Sequence, residues 1–136
     1  MNRKILIVVA NFYKDISKSL DEDARKFLQK KKNNFEINKF TVPGVFEIPV
    51  VISKNIKKYD AFLALGCVIK GETPHFEYIS AATINALMTL SIQSKKPIGN
   101  GIITCLNKSQ ALARSSVGSK KNKGREAANA IFNVLS

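Results

Sequence analysis

Two uninterrupted apolar runs constrain the fold of this chain more than any other feature. KILIVVA at 4–10 and DAFLALGCVI at 60–69 are of strand length, and neither alternates polar with apolar positions. A strand that is apolar on both faces must be covered on both faces, the situation of central strands in a parallel sheet. The segments between and after them have a different period. DISKSLDEDARKFLQKKK (15–32) sets Ile16, Leu20, Ala24, Phe27 and Leu28 at helical spacing. PHFEYISAATINALMTLSIQS (74–94) does the same with Phe76, Ile79, Thr83, Leu87 and Leu90. FEIPVVISKNIKKY (46–59) reads as a further helix, with Pro49 tolerable in its first turn. FEINKFTV (35–42) is a more polar strand suited to a sheet edge and stops at Pro43-Gly44, while PIGNGIITC (97–105) is a fourth strand. KSQALARSS (108–116) and GREAANAIFNVL (124–135) close the chain as helices on either side of the polar loop VGSKKNK.

Strand and helix therefore alternate four times. That order predicts an α/β protein with a four-stranded parallel sheet and right-handed crossovers, a flavodoxin-like three-layer α/β/α sandwich. No repeat or linker divides residues 1–136, so a single domain is expected. The run ILIVVA is too short to span a bilayer, and nothing at the N-terminus has the makeup of a signal peptide. Cys67 and Cys105 are far apart in sequence, without a CxxC or a second histidine, so no metal site is expected. They read as small hydrophobes at strand ends in a reducing cytoplasm.

The formal charge of +12 by itself suggests nucleic acid, membrane surface or anionic small molecules. Lys outnumbers Arg by 18 to 4, and the lysines are scattered in short groups at helix ends and loops. No arginine-rich recognition helix or aromatic RNA-binding strand accompanies them. Solvated lysines are the expectation, with neither nucleic acid nor membrane as a partner.

In open α/β sheets, ligands collect beyond the carboxyl ends of the strands. That rule selects NFYK after the first strand, PGVFE after the second, KGETPH after the third and the turn after GIIT. In the third segment Thr73 is a good N-cap and Pro74 a good first helical residue. His75, the only histidine, then falls in the first turn, where unpaired amides attract phosphate or carboxylate. Lys70 adds a positive charge nearby. Taken alone, this segment suits an exposed helix-start residue as well as a reactive one. Glu47 suits a dipole-complementing carboxylate or a hydrogen-bond acceptor for ligand hydroxyls, and Phe12 a core contact or a stacking platform. Four strand ends carrying such groups together favour a site.

The blocks VPGVFEIP (42–49), ALGCVIKGETPHFEYIS (64–80) and NGIIT…QALAR…NKGREAA (100–128) resemble those of the lumazine synthase family, in order and nearly along the whole chain. The resemblance implies a condensation of 5-amino-6-(D-ribitylamino)uracil with 3,4-dihydroxy-2-butanone 4-phosphate in riboflavin biosynthesis, without cofactor or metal. It implies that Phe12 stacks on the pyrimidine and that Gly44, Val45, Phe46, Val68, Ile69 and Lys70 surround the substrate. Glu47 would hold ribityl hydroxyls, Gly71, Glu72, Thr73 and Arg114 the phosphate, and His75 would shuttle protons. Arg114, and Lys123 as a substrate-binding lysine near the ring system, would come from a neighbouring subunit, which makes the expected assembly a homopentamer at minimum.

Three departures accompany the resemblance. Asn100 stands where an aromatic residue often faces the ring from the neighbouring subunit. Lys70 replaces a common arginine, and the loop between Arg114 and Lys123 is slightly long. The long loop and a very short N-terminus both touch assembly contacts, which favours a free pentamer over a sixty-subunit capsid. The rival reading is a non-catalytic flavin- or lumazine-binding module, which would have no use for a proton shuttle.

Overall fold

A computed structural model describes residues 3–31, 35–71 and 75–135. The four strands are β1 (Arg3–Ala10), β2 (Phe35–Val42), β3 (Ala61–Ile69) and β4 (Ile98–Cys105). All pair in parallel, in the order β2-β1-β3-β4. The helices are α1 (Lys14–Gln29), α2 (Ile48–Lys54), α3 (His75–Ser94), α4 (Lys108–Ala113) and α5 (Lys123–Leu135), with a single 3₁₀ turn at Val45–Glu47. The expected architecture holds: the two apolar runs are the two central strands.

Period-two geometry divides each of these runs between two cores. Ile5, Ile7 and Val9 join Leu63, Leu65 and Cys67 under α1 and α5, against Ile16, Leu20, Leu28, Ala128 and Ile131. Leu6, Val8 and Ala10 join Phe62 and Ala64 on the other face, against Ile48, Ile52 and Leu87 of α2 and α3. β2 is the polar edge strand the sequence predicts, with Asn38, Lys39, Phe40 and Thr41 exposed or half-exposed.

Three helices are shorter than expected, and the first of them, expected over 15–32, ends at Gln29. The helix expected over 46–59 is a 3₁₀ turn followed by Ile48–Lys54. It stops at Asn55, whose side-chain amide donates to the Val51 carbonyl and so competes with the backbone ladder. Ile56 still packs on the core, but from a turn. The helix expected over 108–116 ends at Ala113 because Ser115 and Ser116 turn their hydroxyls back onto the Ala111 and Leu112 carbonyls. The cap read at Thr73-Pro74 lies outside the described residues.

α3 buries fewer side chains than its composition predicts. Ser80, Thr83 and Leu87 are buried, and Ile79 and Leu90 pack beside them as the helical spacing implies. Tyr78, Met88 and Ile92 remain 72%, 60% and 68% exposed. A helix apolar around most of its circumference normally has neighbours on more than one side. Among the described residues no helix is long and apolar enough to cross a membrane.

Candidate active site

The direction of winding reverses between β1 and β3, because β2 lies on one side of β1 and β4 on the far side of β3. At such a switch point the loops after the strands separate and leave a crevice at the carboxyl edge. A cleft of about 270 Å³ opens there, lined by Phe12, Tyr13, Gly44, Val45, Phe46, Cys67, Val68, Ile69, His75 and Ile79. Seven residues read from sequence as substrate-facing are thus drawn together from four separate segments: Phe12, Gly44, Val45, Phe46, Val68, Ile69 and His75.

The close approach of these segments depends on a small residue in β3. A methyl group placed on Gly66 would stand 2.8 Å from Val45 Cγ1 and 3.0 Å from Ala10 Cβ. Glycine therefore lets the turn after β2 seat Val45 against the ends of β1 and β3. That turn is closed by a reciprocal pair. Glu47 Oε1 accepts the Gly44 amide at 3.0 Å, and the Gly44 carbonyl accepts the Glu47 amide at 3.2 Å. Glu47 itself lies beside the cleft, exposed, and acts first to shape its wall.

Phe12 is 74% exposed and Phe46 57% exposed, and both line the cleft. Phe12 is braced edge-on by Tyr13, with ring centroids 4.9 Å apart and planes at 78°. Two exposed rings over an apolar floor make a platform for a planar ligand. His75, the first residue of α3 and the only histidine in the sequence, is exposed at the same cleft.

Cys67 is a thiol in the cleft wall, but burial, with the adjoining Cys105 thiol as a smaller cause, pushes its pKa up to about 12. The thiolate fraction at pH 8 is then on the order of 10⁻⁴, which removes it as a nucleophile. Iodoacetamide at pH 8 should label native Cys67 far more slowly than the unfolded chain, as followed by peptide mass. Equal rates would show an accessible, ordinary thiol. Because the folded pKa lies above the ordinary value, the associated stability is present below about pH 9 and is lost as pH rises towards 12.

Other expected residues lie around this cleft or away from it. The Lys70 amide donates to the Cys105 carbonyl at 2.8 Å, tying the end of β3 to β4, while its side chain is exposed. Gly71 is exposed, with nothing within 4 Å of a β-carbon placed on it. Glu72 and Thr73 lie outside the described residues. Arg114 caps α4 and directs Nη1 to the Thr104 carbonyl and Cys105 Sγ, at 3.4 and 3.5 Å, at the end of β4. Lys123 begins α5 and pairs with Glu126 at 3.0 Å. Asn100 lies on edge strand β4, accepts the Ile102 amide at 3.0 Å, and borders a separate hollow with Ile84, Leu87 and Met88. Arg114, Lys123 and Asn100 do not line the cleft of their own chain.

Tyr13 and Ile79 line the cleft without having been singled out from sequence. Tyr13 adjoins Phe12 at the end of β1, and Ile79 follows His75 by one helical turn; both spacings were available signals.

The chain is similar over nearly its whole length to known proteins. A family model described as 6,7-dimethyl-8-ribityllumazine synthase matches residues 2–136. The chain is 46% identical over 139 residues to the 6,7-dimethyl-8-ribityllumazine synthase of Bartonella bacilliformis, covering 99% of this chain and 90% of that protein. The protein of the same name from Bartonella henselae is 48% identical over 135 residues (96% and 85% covered). The one from Nitrobacter hamburgensis is 43% identical over 139 residues (97% and 83% covered).

Proposed function

The chain belongs to the 6,7-dimethyl-8-ribityllumazine synthase family, and we propose that it catalyses the condensation for which that family is named. The 5-amino group of 5-amino-6-(D-ribitylamino)uracil attacks the ketone of 3,4-dihydroxy-2-butanone 4-phosphate, and loss of water gives an imine. Elimination of phosphate leaves an enol that tautomerises to a new ketone. The ribityl-bearing nitrogen closes the ring on that ketone with loss of a second water. One phosphate and two waters leave, and no electron acceptor is required.

The observation that carries this reading is the cleft at the β1/β3 switch point, where aromatic rings, strand-end backbone and the single histidine converge. Phe12 stacks on the pyrimidine, and the backbone of Gly44, Val45, Phe46, Val68 and Ile69 borders its edges. Glu47 receives ribityl hydroxyls. Gly71, Glu72, Thr73 and Arg114 hold the phosphate, with Lys70 contributing charge. His75 moves protons as the hydroxyl and phosphate depart. Two reactants held face to face account for most of the rate.

The same reading makes the active unit a homo-oligomer, a pentamer, in which Arg114, Lys123 and Asn100 complete the site of an adjacent subunit. Two features support it: these three residues lie outside their own cleft, and α3 leaves Tyr78, Met88 and Ile92 uncovered.

The test is to mix the purified protein with both substrates and follow lumazine formation by absorbance or fluorescence. A rate no greater than the uncatalysed condensation would remove the synthase reading and leave a ligand-binding module. His75→Ala is expected to slow turnover about 10²-fold, at the low end of general acid–base effects, while remaining above background. An unchanged rate would deny His75 its proton-transfer role.

A further inference from the structure

The segment joining α4 to α5 carries Arg114 at one end and Lys123 at the other, and its composition offers little to hold it still. RSSVGSKKNK is polar apart from Val117, which is 42% exposed. It is nevertheless closed, since the Lys123 amide donates to the Arg114 carbonyl at 2.9 Å. Between them lies Asn122, wholly buried. Its Nδ2 donates to the carbonyls of Ser115 at 2.9 Å and Ser116 at 3.2 Å. Its Oδ1 accepts the amides of Gly124 at 2.9 Å and Arg125 at 3.1 Å.

A carboxamide offers two N–H donors and two acceptor lone pairs, and Asn122 uses all four. The oxygen half is an ordinary helix cap for α5. The nitrogen half is surplus to capping: it grips the two carbonyls that directly follow Arg114. One side chain thus spans from the residues after Arg114 to the residues after Lys123. The same segment is pinned to α1 through the Gly118 amide, which donates to Asp23 Oδ1 at 3.1 Å.

We propose that Asn122 is a positioning residue for the reaction, fixing the backbone that follows Arg114 so that its guanidinium is oriented to meet the phosphate of the phosphorylated substrate. This rests on the reading above, in which Arg114 binds the phosphate. Neither serine nor aspartate can replace Asn122 in full: serine keeps an oxygen for the cap but has a single, shorter donor for two carbonyls, and an ionised aspartate keeps the cap but has no proton to give Ser115 and Ser116.

The test compares Asn122→Ser with the parent protein in kcat, in KM for each substrate and in thermal midpoint. The expected result is a KM for the phosphorylated ketone raised about tenfold, with the KM for the ribitylaminouracil and the oligomeric state unchanged. Asn122→Asp keeps both volume and cap and serves as the second variant. Its KM defect should match that of Asn122→Ser, which introduces no charge, since lost positioning is common to both variants whereas a charge effect would appear in the aspartate alone. A lower thermal midpoint with both KM values unchanged would reduce Asn122 to a helix cap and overturn the proposal. Arg114→Ala separates the two levels: an unaltered ketone KM in that variant would refute the underlying phosphate assignment.

Discussion

Gly124→Ala is expected to cost about 3 kcal/mol or more of folding stability, although it adds one methyl group. A β-carbon on Gly124 would overlap the carbonyl oxygen of Leu20 and stand 2.8 Å from its carbonyl carbon and 3.0 Å from its Cα. The obstacle is backbone inside α1, at a residue with no exposed surface, so no side-chain rotation relieves it. α5 would have to lift away from α1, drawing Ala127, Ala128 and Ile131 from the larger core. Overpacking of side chains typically costs about 1–3 kcal/mol, and a backbone clash belongs at or beyond the upper end. Urea denaturation should show a lower midpoint at unchanged slope. Gly71→Ala is the control: nothing stands within 4 Å of its β-carbon, so the change should stay within about 0.5 kcal/mol. Similar midpoints for the two variants would refute the close-contact account. The displacement also has a functional side, because Asn122 and Lys123 immediately precede Gly124.

The centre of the fold was legible because ILIVVA and AFLALGCVI admit few arrangements other than covered parallel strands. The polar character of FEINKFTV likewise identified an edge. Helix ends were less legible where side chains compete with the backbone. Ile56 continues the apolar spacing of α2 although the α-helical ladder has given way to tighter i→i−3 turns at Asn55 and Ile56, so periodicity outlasts the helix. Ser115 and Ser116 end α4 in the same way, through bonds that propensity does not encode.

The candidate site divides along a similar line. Phe12, Gly44, Val45, Phe46 and His75 fall in segments that topology assigns to ligands, since strand ends can be read from pattern, whereas Val68 and Ile69 were implied by the family blocks. Asn122 resembles any polar loop residue in sequence. Its importance lies in four hydrogen bonds to both ends of a loop, and only the folded backbone brings those ends together. Arg114, Lys123 and Asn100 carry no local signal of which cleft they serve. The family blocks imply roles for them, and the structure adds that their own cleft is lined without them.

Arg114→Ala is expected to lower kcat/KM for the phosphorylated ketone about 10³-fold, within the range for truncating one partner of a desolvated charge pair. The larger consequence appears when two defective chains are mixed. Arg114 directs its guanidinium to Thr104 and Cys105 at the end of β4, whereas His75 lines the cleft between β1 and β3. If each site takes His75 from one subunit and Arg114 from the next, a head-to-tail ring makes every interface a complete or defective site. In a one-to-one mixture of His75→Ala and Arg114→Ala chains, half of all positions supply an intact histidine and half of their neighbours an intact arginine. About a quarter of the sites regain both. Co-assembled variants should therefore recover about a quarter of parental activity, although each alone is nearly inactive. If Arg114 served its own chain, no chain in the mixture would hold both residues, and activity would stay at the average of the two variants. That outcome would refute site sharing while leaving the phosphate role of Arg114 to its effect on KM.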